Sequence, residues 1–209
     1  MRVLLCGWGL ALLAIQAGAA RPNAVRCEQV ALALDPRVTP EVIARDWGTG
    51  EPHAEANAAL ELRGCKDELL DRLELAGPLA TLDPTPLRGT VVPTWLVSAD
   101  LTAPAGSTSG PLTLPVEVVS HRLRVARARG PAGALEPIHL AATGKAAWQR
   151  LAVGRADDLL SVSSRPAAGR FVTTYRRYHA GPHGWTIRER RVDEAWEADG
   201  DFPEQRRFP

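Results

Sequence analysis

The stretch "HAEANAALELRGCKDELLDRLELAGP", residues 53–78, decides how the N-terminal half is read. Leu62, Cys65, Leu69, Leu73 and Ala76 recur at steps of three and four, while Glu61, Lys66, Asp67, Asp71 and Arg72 take the other side. That spacing describes an amphipathic helix, closed by Gly77-Pro78. Gly64 inside it costs about 1 kcal/mol relative to alanine. Upstream, "TPEVIARDWG" (39–48) has a cap at Thr39, Pro40 at the first helical position, Glu41 in the first turn and a stop at Gly48. "VRCEQVALALD" (25–35) fits two periods: Val30, Leu32 and Leu34 alternate, and Cys27, Val30 and Leu34 step helically. Read as helix, it makes the region from about 25 to 77 helical.

Beyond the proline-broken connector "LATLDPTPLRG" (79–89) the pattern changes. "TVVPTWLVSADL" (90–101) is β-branched and aromatic. "LTLPVEVVSHRLRVARAR" (112–129) reads as one long strand, with Val119, His121, Leu123 and Val125 on one face and Ser120, Arg122 and Arg124 on the other. Shorter strands follow around "LEPIHLAA", "WQRLAVG" and "DLLSVSS", with Asp157-Asp158 as turn residues before the last. "RFVTTYRRYH" and "GWTIRERRV" form a closing hairpin around Gly181-Pro182. Helices followed by strands imply an α+β fold: N-terminal helices packed on one face of an antiparallel, meander-like sheet. The expected organisation is a single domain over 20–196, with strands over about 88–193 and an irregular, frayed polar tail over 197–209.

The chain begins with one charge, Arg2, a 13-residue apolar run from Val3 to Ile15, and the small residues Ala17-Gly18-Ala19. This is the pattern of a secretory signal peptide over residues 1–19. The run is too short to span a bilayer core, which takes roughly 20 residues. No later segment is long and apolar enough to cross a membrane as a helix. An exported, periplasmic or secreted protein is expected. After the leader two cysteines remain, Cys27 and Cys65, and the simplest use of a lone pair outside the cytoplasm is one disulfide.

Charge is uneven along the chain. Residues 21–87 carry 7 basic and 12 acidic side chains, and residues 88–209 carry 17 and 12. The mixture of signs is too balanced for a nucleic-acid binder. Only Lys66 and Lys145 are lysines, an arginine bias that GC-rich coding would also produce.

Familiar catalytic signatures are missing: no G-x-S-x-G, no H-E-x-x-H and no phosphate-binding glycine loop. No motif implies a cofactor. His121 and His179 are the candidate general bases. His183 stands four residues beyond His179, an H-x3-H spacing, but Pro182 between them forbids the helical presentation that zinc pairs use, and further ligands are lacking. In the hairpin, placing Tyr175 opposite Ile187 gathers Phe171, Tyr175, Trp185 and Ile187 on one apolar face. Arg176, Tyr178, Arg188 and Arg190 then share the opposite, exposed face, where they suit an anionic ligand or a protein partner. The expected function is an exported accessory, binding or inhibitor-like protein. A small hydrolase without a recognisable motif and a structural envelope subunit are the alternatives.

Overall fold

In a computed structural model, which describes residues 27–42, 57–100 and 110–209, the chain is built almost entirely of strands. The leader over 1–19, most of the helix read at 39–48, and His53 lie outside the described residues. What remains of the 39–48 segment is helical backbone at 40–42, where the Val42 N–H donates to Thr39 Oγ1 at 3.3 Å, the capping bond expected of Thr39.

The α+β expectation is overturned at 25–35 and 57–78, which form a three-stranded antiparallel sheet: β1 (Gln29–Ala33), β2 (Ala59–Arg63) and β3 (Leu69–Glu74), in the order β1-β2-β3. The reason is legible in retrospect. Ala58, Leu60, Leu62, Leu73 and Leu75 alternate with Glu61, Arg63, Arg72 and Glu74, and the first set packs in a core. Glu61 sits opposite Arg72 and is held by Arg63 at 2.7 Å and Arg72 at 2.8 Å. Gly64 is not a flaw in a helix but the start of the β2–β3 turn. A side-chain carbon there would fall 2.3 Å from Glu68 Oε1, inside contact distance. The disulfide joins Cys27 to Cys65, with Cα atoms 5.0 Å apart. The β1–β2 register pairs Gln29 with Arg63, so continuing it two residues outward brings Cys27 opposite Cys65.

The second sheet runs β10 (Leu140–Ala141), β6 (Pro111–Val119), β5 (Thr94–Asp100), β4 (Ala80–Leu82), with β7 (Arg122–Val125) also paired to β6. The long strand expected over 112–129 is therefore a hairpin followed by a change of sheet. Ser120 and His121 both have positive φ, 50° and 62°, and make the β6–β7 turn. The third sheet is the largest: β11 (Ala146–Val153), β12 (Ala156–Ala167), β13 (Arg170–Gly181), β14 (Gly184–Val192), β8 (Arg127–Arg129) and β9 (Leu135–Pro137). All its pairings are antiparallel except β14 with β8.

The sheets stack in layers. Val97, Ala99, Val116 and Val118 face the first sheet and bury Leu60, Leu62 and Leu75 against them. Leu96, Ile138 and Leu140 face the third sheet and cover Leu159, Tyr178, Trp185 and Ile187. The far side of the third sheet carries another cluster, Leu160, Val162, Tyr175 and Phe208. Phe208 belongs to the tail, which holds only one 3-10 turn (Gln205–Arg207) yet is docked rather than frayed. Its ring meets Tyr175 edge-on at 5.4 Å and stacks on Phe202 at 5.5 Å. Thr173 Oγ1 donates to the Glu194 carbonyl oxygen at 2.7 Å, pinning the start of the tail.

Both faces of β13 are thus buried, which explains the hairpin register. Tyr178 lies opposite Ile187, and Tyr175 lies opposite Arg190, not Ile187. The tip is Pro182-His183, between the paired Gly181 and Gly184, with Gly184 at φ 98°. Apolar residues of both parities are needed when each face has its own cover, so grouping all of them on one face misassigns the strand.

Candidate functional site

The candidate site arises where the second sheet stops covering the third. Along that face of β12 and β13 the covered end carries Leu159, Tyr178 and Ala180. Beyond it, the same alternation presents Ser161, Ser163 and Arg165 from β12 and Arg176 and Thr174 from β13, with Ser161 opposite Arg176 and Ser163 opposite Thr174. Next to Arg176 and Thr174 on β14 stand Glu189 and Arg191. The segment around β10, with His139, Thr143 and Lys145, forms the other wall of a cavity of about 370 Å³ floored by Ser161, Ser163, Arg176 and Tyr178. A second cavity of about 250 Å³ shares Ser163, Arg165 and Arg176 and reaches Thr174 and Arg191. Together they make one cleft lined by hydroxyls and cations.

Glu189 organises the arginines. It accepts from Arg176 Nε at 2.6 Å and Arg191 Nε at 2.6 Å. Burial pushes the Glu189 carboxyl up, but those two guanidinium bonds outweigh it and hold it below its ordinary value. Burial alone would weaken the Arg176 cation. Glu189, with the Tyr178 oxygen, keeps its pKa above the ordinary arginine value. Arg176 is therefore a fixed, half-buried cation. Lys145 is engaged by Glu197 and lies 4.9 Å over the Phe171 ring. Arg165 is exposed, and among the described residues no carboxylate pairs with it. Four cations face two carboxylates, so the cleft is net positive, and no acidic side chain lines either cavity.

The residues selected from sequence do not form one surface. Tyr178 is not exposed: only 2% of it reaches solvent, and it packs in the core between the second and third sheets. Arg176 borders the cleft, whereas Arg188 and Arg190 stand on the opposite face of the sheet, across from Arg177 and Tyr175. His121 is not on an apolar strand face but exposed in the β6–β7 turn, hydrogen-bonded to Glu28. His183 is at the hairpin tip. Among the described residues no three potential metal ligands cluster.

His179 has a partner the sequence reading missed. Its Nδ1 lies 2.7 Å from Asp158 Oδ1, and Asp158 is fully buried and also bound by Arg177 at 2.6 Å. Asp157 and Asp158 are not turn residues but the second and third residues of β12, buried on opposite faces. Asp157 accepts from the Arg88 backbone N–H at 2.8 Å, from Arg88 Nη2 at 2.7 Å and from Arg150 Nη2 at 2.6 Å. The cleft residues Ser161, Ser163 and Arg165 were also missed. The alternation in "LSVS" (160–163) was the available signal for the two serines, and it breaks at Ser164 before Arg165.

The disulfide is compatible with an oxidising compartment. Among the described residues no helix is long and apolar enough to cross a membrane. Compared with known protein families, with curated proteins and with solved structures, the chain shows no match.

Proposed function

We propose that the chain is an exported binding module, periplasmic or secreted, whose basic cleft takes an extended anionic ligand, namely an acidic segment of a partner protein. The carrying observation is the run of donors beyond the edge of the second sheet. Among the described residues these are the unpaired Arg165, then Arg176 and Arg191 sharing the single carboxylate of Glu189, and Ser161, Ser163 and Thr174, with no carboxylate lining the cavities. Guanidiniums bind carboxylates through paired, charge-assisted hydrogen bonds, and a fixed fork loses less freedom on binding than a mobile one. Arg176 is already oriented by Glu189. The two connected cavities suit a chain better than a compact ion. The leader pattern and the Cys27–Cys65 bridge support export.

The test is fluorescence polarisation with a labelled oligoglutamate peptide against a neutral peptide of equal length. Arg165→Gln with Arg176→Gln should weaken the acidic peptide by roughly tenfold or more and flatten its salt dependence. Equal binding of both peptides, or no effect of the double variant, would reject the cleft.

A small hydrolase is the second reading, favoured by the buried Asp158 that orients His179. Its nucleophile is not evident, since Thr186 Oγ1 donates to the His179 carbonyl oxygen rather than to the ring. Turnover of ester or phosphoester substrates that disappears in His179→Gln would establish it.

A further inference from the structure

A separate cavity of about 250 Å³ lies at the hairpin tip, lined by Arg124, Arg127, Arg129 and His183, with Trp185 and Leu135 as its apolar part. It follows from the strand that changes sheets. "RLRVARAR" presents four arginines on either side of the switch at Val125-Ala126, two from β7 and two from β8. The β7 pair is neutralised: Arg122 meets Asp71 at 3.1 Å, and Arg124 meets Glu117 at 2.9 Å. The β8 pair is not. Among the described residues, Arg127 and Arg129 have no carboxylate partner, and each is instead tethered through one nitrogen to a carbonyl oxygen, of the first residue of β9 for Arg127 and of the β8–β9 connection for Arg129. Arg127 Nη2 donates to Leu135 O at 2.8 Å, and Arg129 Nη1 donates to Gly133 O at 2.9 Å.

These tethers fix two guanidiniums at one cavity while leaving donors on each uncommitted, since a guanidinium has five N–H groups. The parallel register puts Trp185 beside Ala128 on the buried face and Thr186 beside Arg129. Alternation sends Arg127 and Arg129 to one side of β8 and buries Ala128 on the other. Among the described residues, Glu117 is the only acid lining the cavity, and it is occupied by Arg124. Excess positive charge, pre-oriented forks and an adjoining imidazole select a compact oxyanion with more than one negative charge. Leu135, opposite Arg129 on β9 and exposed, adds an apolar surface beside the forks.

We propose that this cavity binds the phosphate of a small phosphomonoester, with Arg127 and Arg129 as the phosphate ligands, His183 as an additional donor and the Leu135 side chain against the organic group. The site stands on other residues than the basic cleft and does not rest on that reading.

Calorimetric and NMR titrations of the protein with phenyl phosphate, inorganic phosphate and inorganic sulfate test it. Saturable binding of phenyl phosphate should shift the Leu135 methyl resonances and be at least about threefold tighter than that of inorganic phosphate, reflecting the Leu135 contact. Arg127→Gln and Arg129→Gln, each of which removes one fork from an exposed position, should weaken phenyl phosphate by about tenfold. Arg176→Gln, in the cleft, should leave that affinity unchanged. Inorganic phosphate binding as tightly as the ester would overturn the phosphomonoester. Non-saturable responses shared by all three ions, or affinity lost with Arg176→Gln but kept with Arg127→Gln, would overturn the site itself. Far-UV circular dichroism of each variant separates lost binding from lost fold.

Discussion

Replacing Asp157 by Ala should cost about 3 kcal/mol of stability, near the lower end of what breaking a buried ion pair costs. Asp157 is 1% exposed and ties the β4–β5 connection to the third sheet through Arg88 and Arg150. Its removal deletes four hydrogen bonds, including the one from the Arg88 backbone N–H. The cost stays below the upper end because the stranded Arg88 side chain is half exposed and recovers water. The variant should also change the pH profile. Burial pushes the Asp157 carboxyl up, but the bonds from Arg88 and Arg150 outweigh that and hold it well below the usual carboxylate range. A group with a depressed folded-state pKa contributes stability above its unfolded value, about 3.9, and loses it as pH falls toward the folded value. The gap between wild type and Asp157→Ala, measured by urea unfolding, should therefore be full at neutral pH and narrower at about pH 3. A loss below about 1 kcal/mol at neutral pH, or a gap that widens in acid, would refute the clamp.

Replacing Cys27 and Cys65 together by Ala should lower stability by roughly 3–4 kcal/mol, since their bridge closes a long loop, and intact mass should rise by about 2 Da when the wild-type bridge is reduced. Trp185→Ala, in the core between the second and third sheets, should cost roughly 3–5 kcal/mol in chemical denaturation. Phe208→Ala should cost about as much, because its ring is buried against Tyr175; a change within about 0.5 kcal/mol would mean that the tail does not dock.

The strands beyond residue 88 were readable because β-branched runs and turn residues punctuate them, and the closing hairpin was found with its ends within a few residues. The N-terminal sheet was not. In "ALELRGCKDELLDRLEL" leucines at steps of two and steps of three or four coexist, and only burial against Val97 and Val116 of another sheet selects the first. His121 was misplaced because two non-glycine residues with positive φ fold a seemingly continuous strand back on itself. Tyr178 and Tyr175 could not be sorted while only one side of the sheet was assumed covered. That the second side is covered by the tail rests on Phe202 and Phe208, two aromatics in a polar stretch without periodicity. Asp157 and Asp158 illustrate the same limit. Adjacent acids usually mark a turn, and their arginine partners at 88, 150 and 177 lie on other strands and loops that only the fold brings near. Arg176 was legible as a candidate, whereas Arg165 and the serines of β12 became visible only once the edge of the second sheet was known.

The most direct test of the functional account is amide chemical-shift mapping during titration of the isotope-labelled protein with oligoglutamate. Shifts should concentrate on Ser161, Ser163, Arg165, Thr174, Arg176 and Arg191 and fade with added salt. Shifts confined to Arg188 and Arg190 on the opposite face, or to the N-terminal sheet, would contradict the cleft as the binding surface.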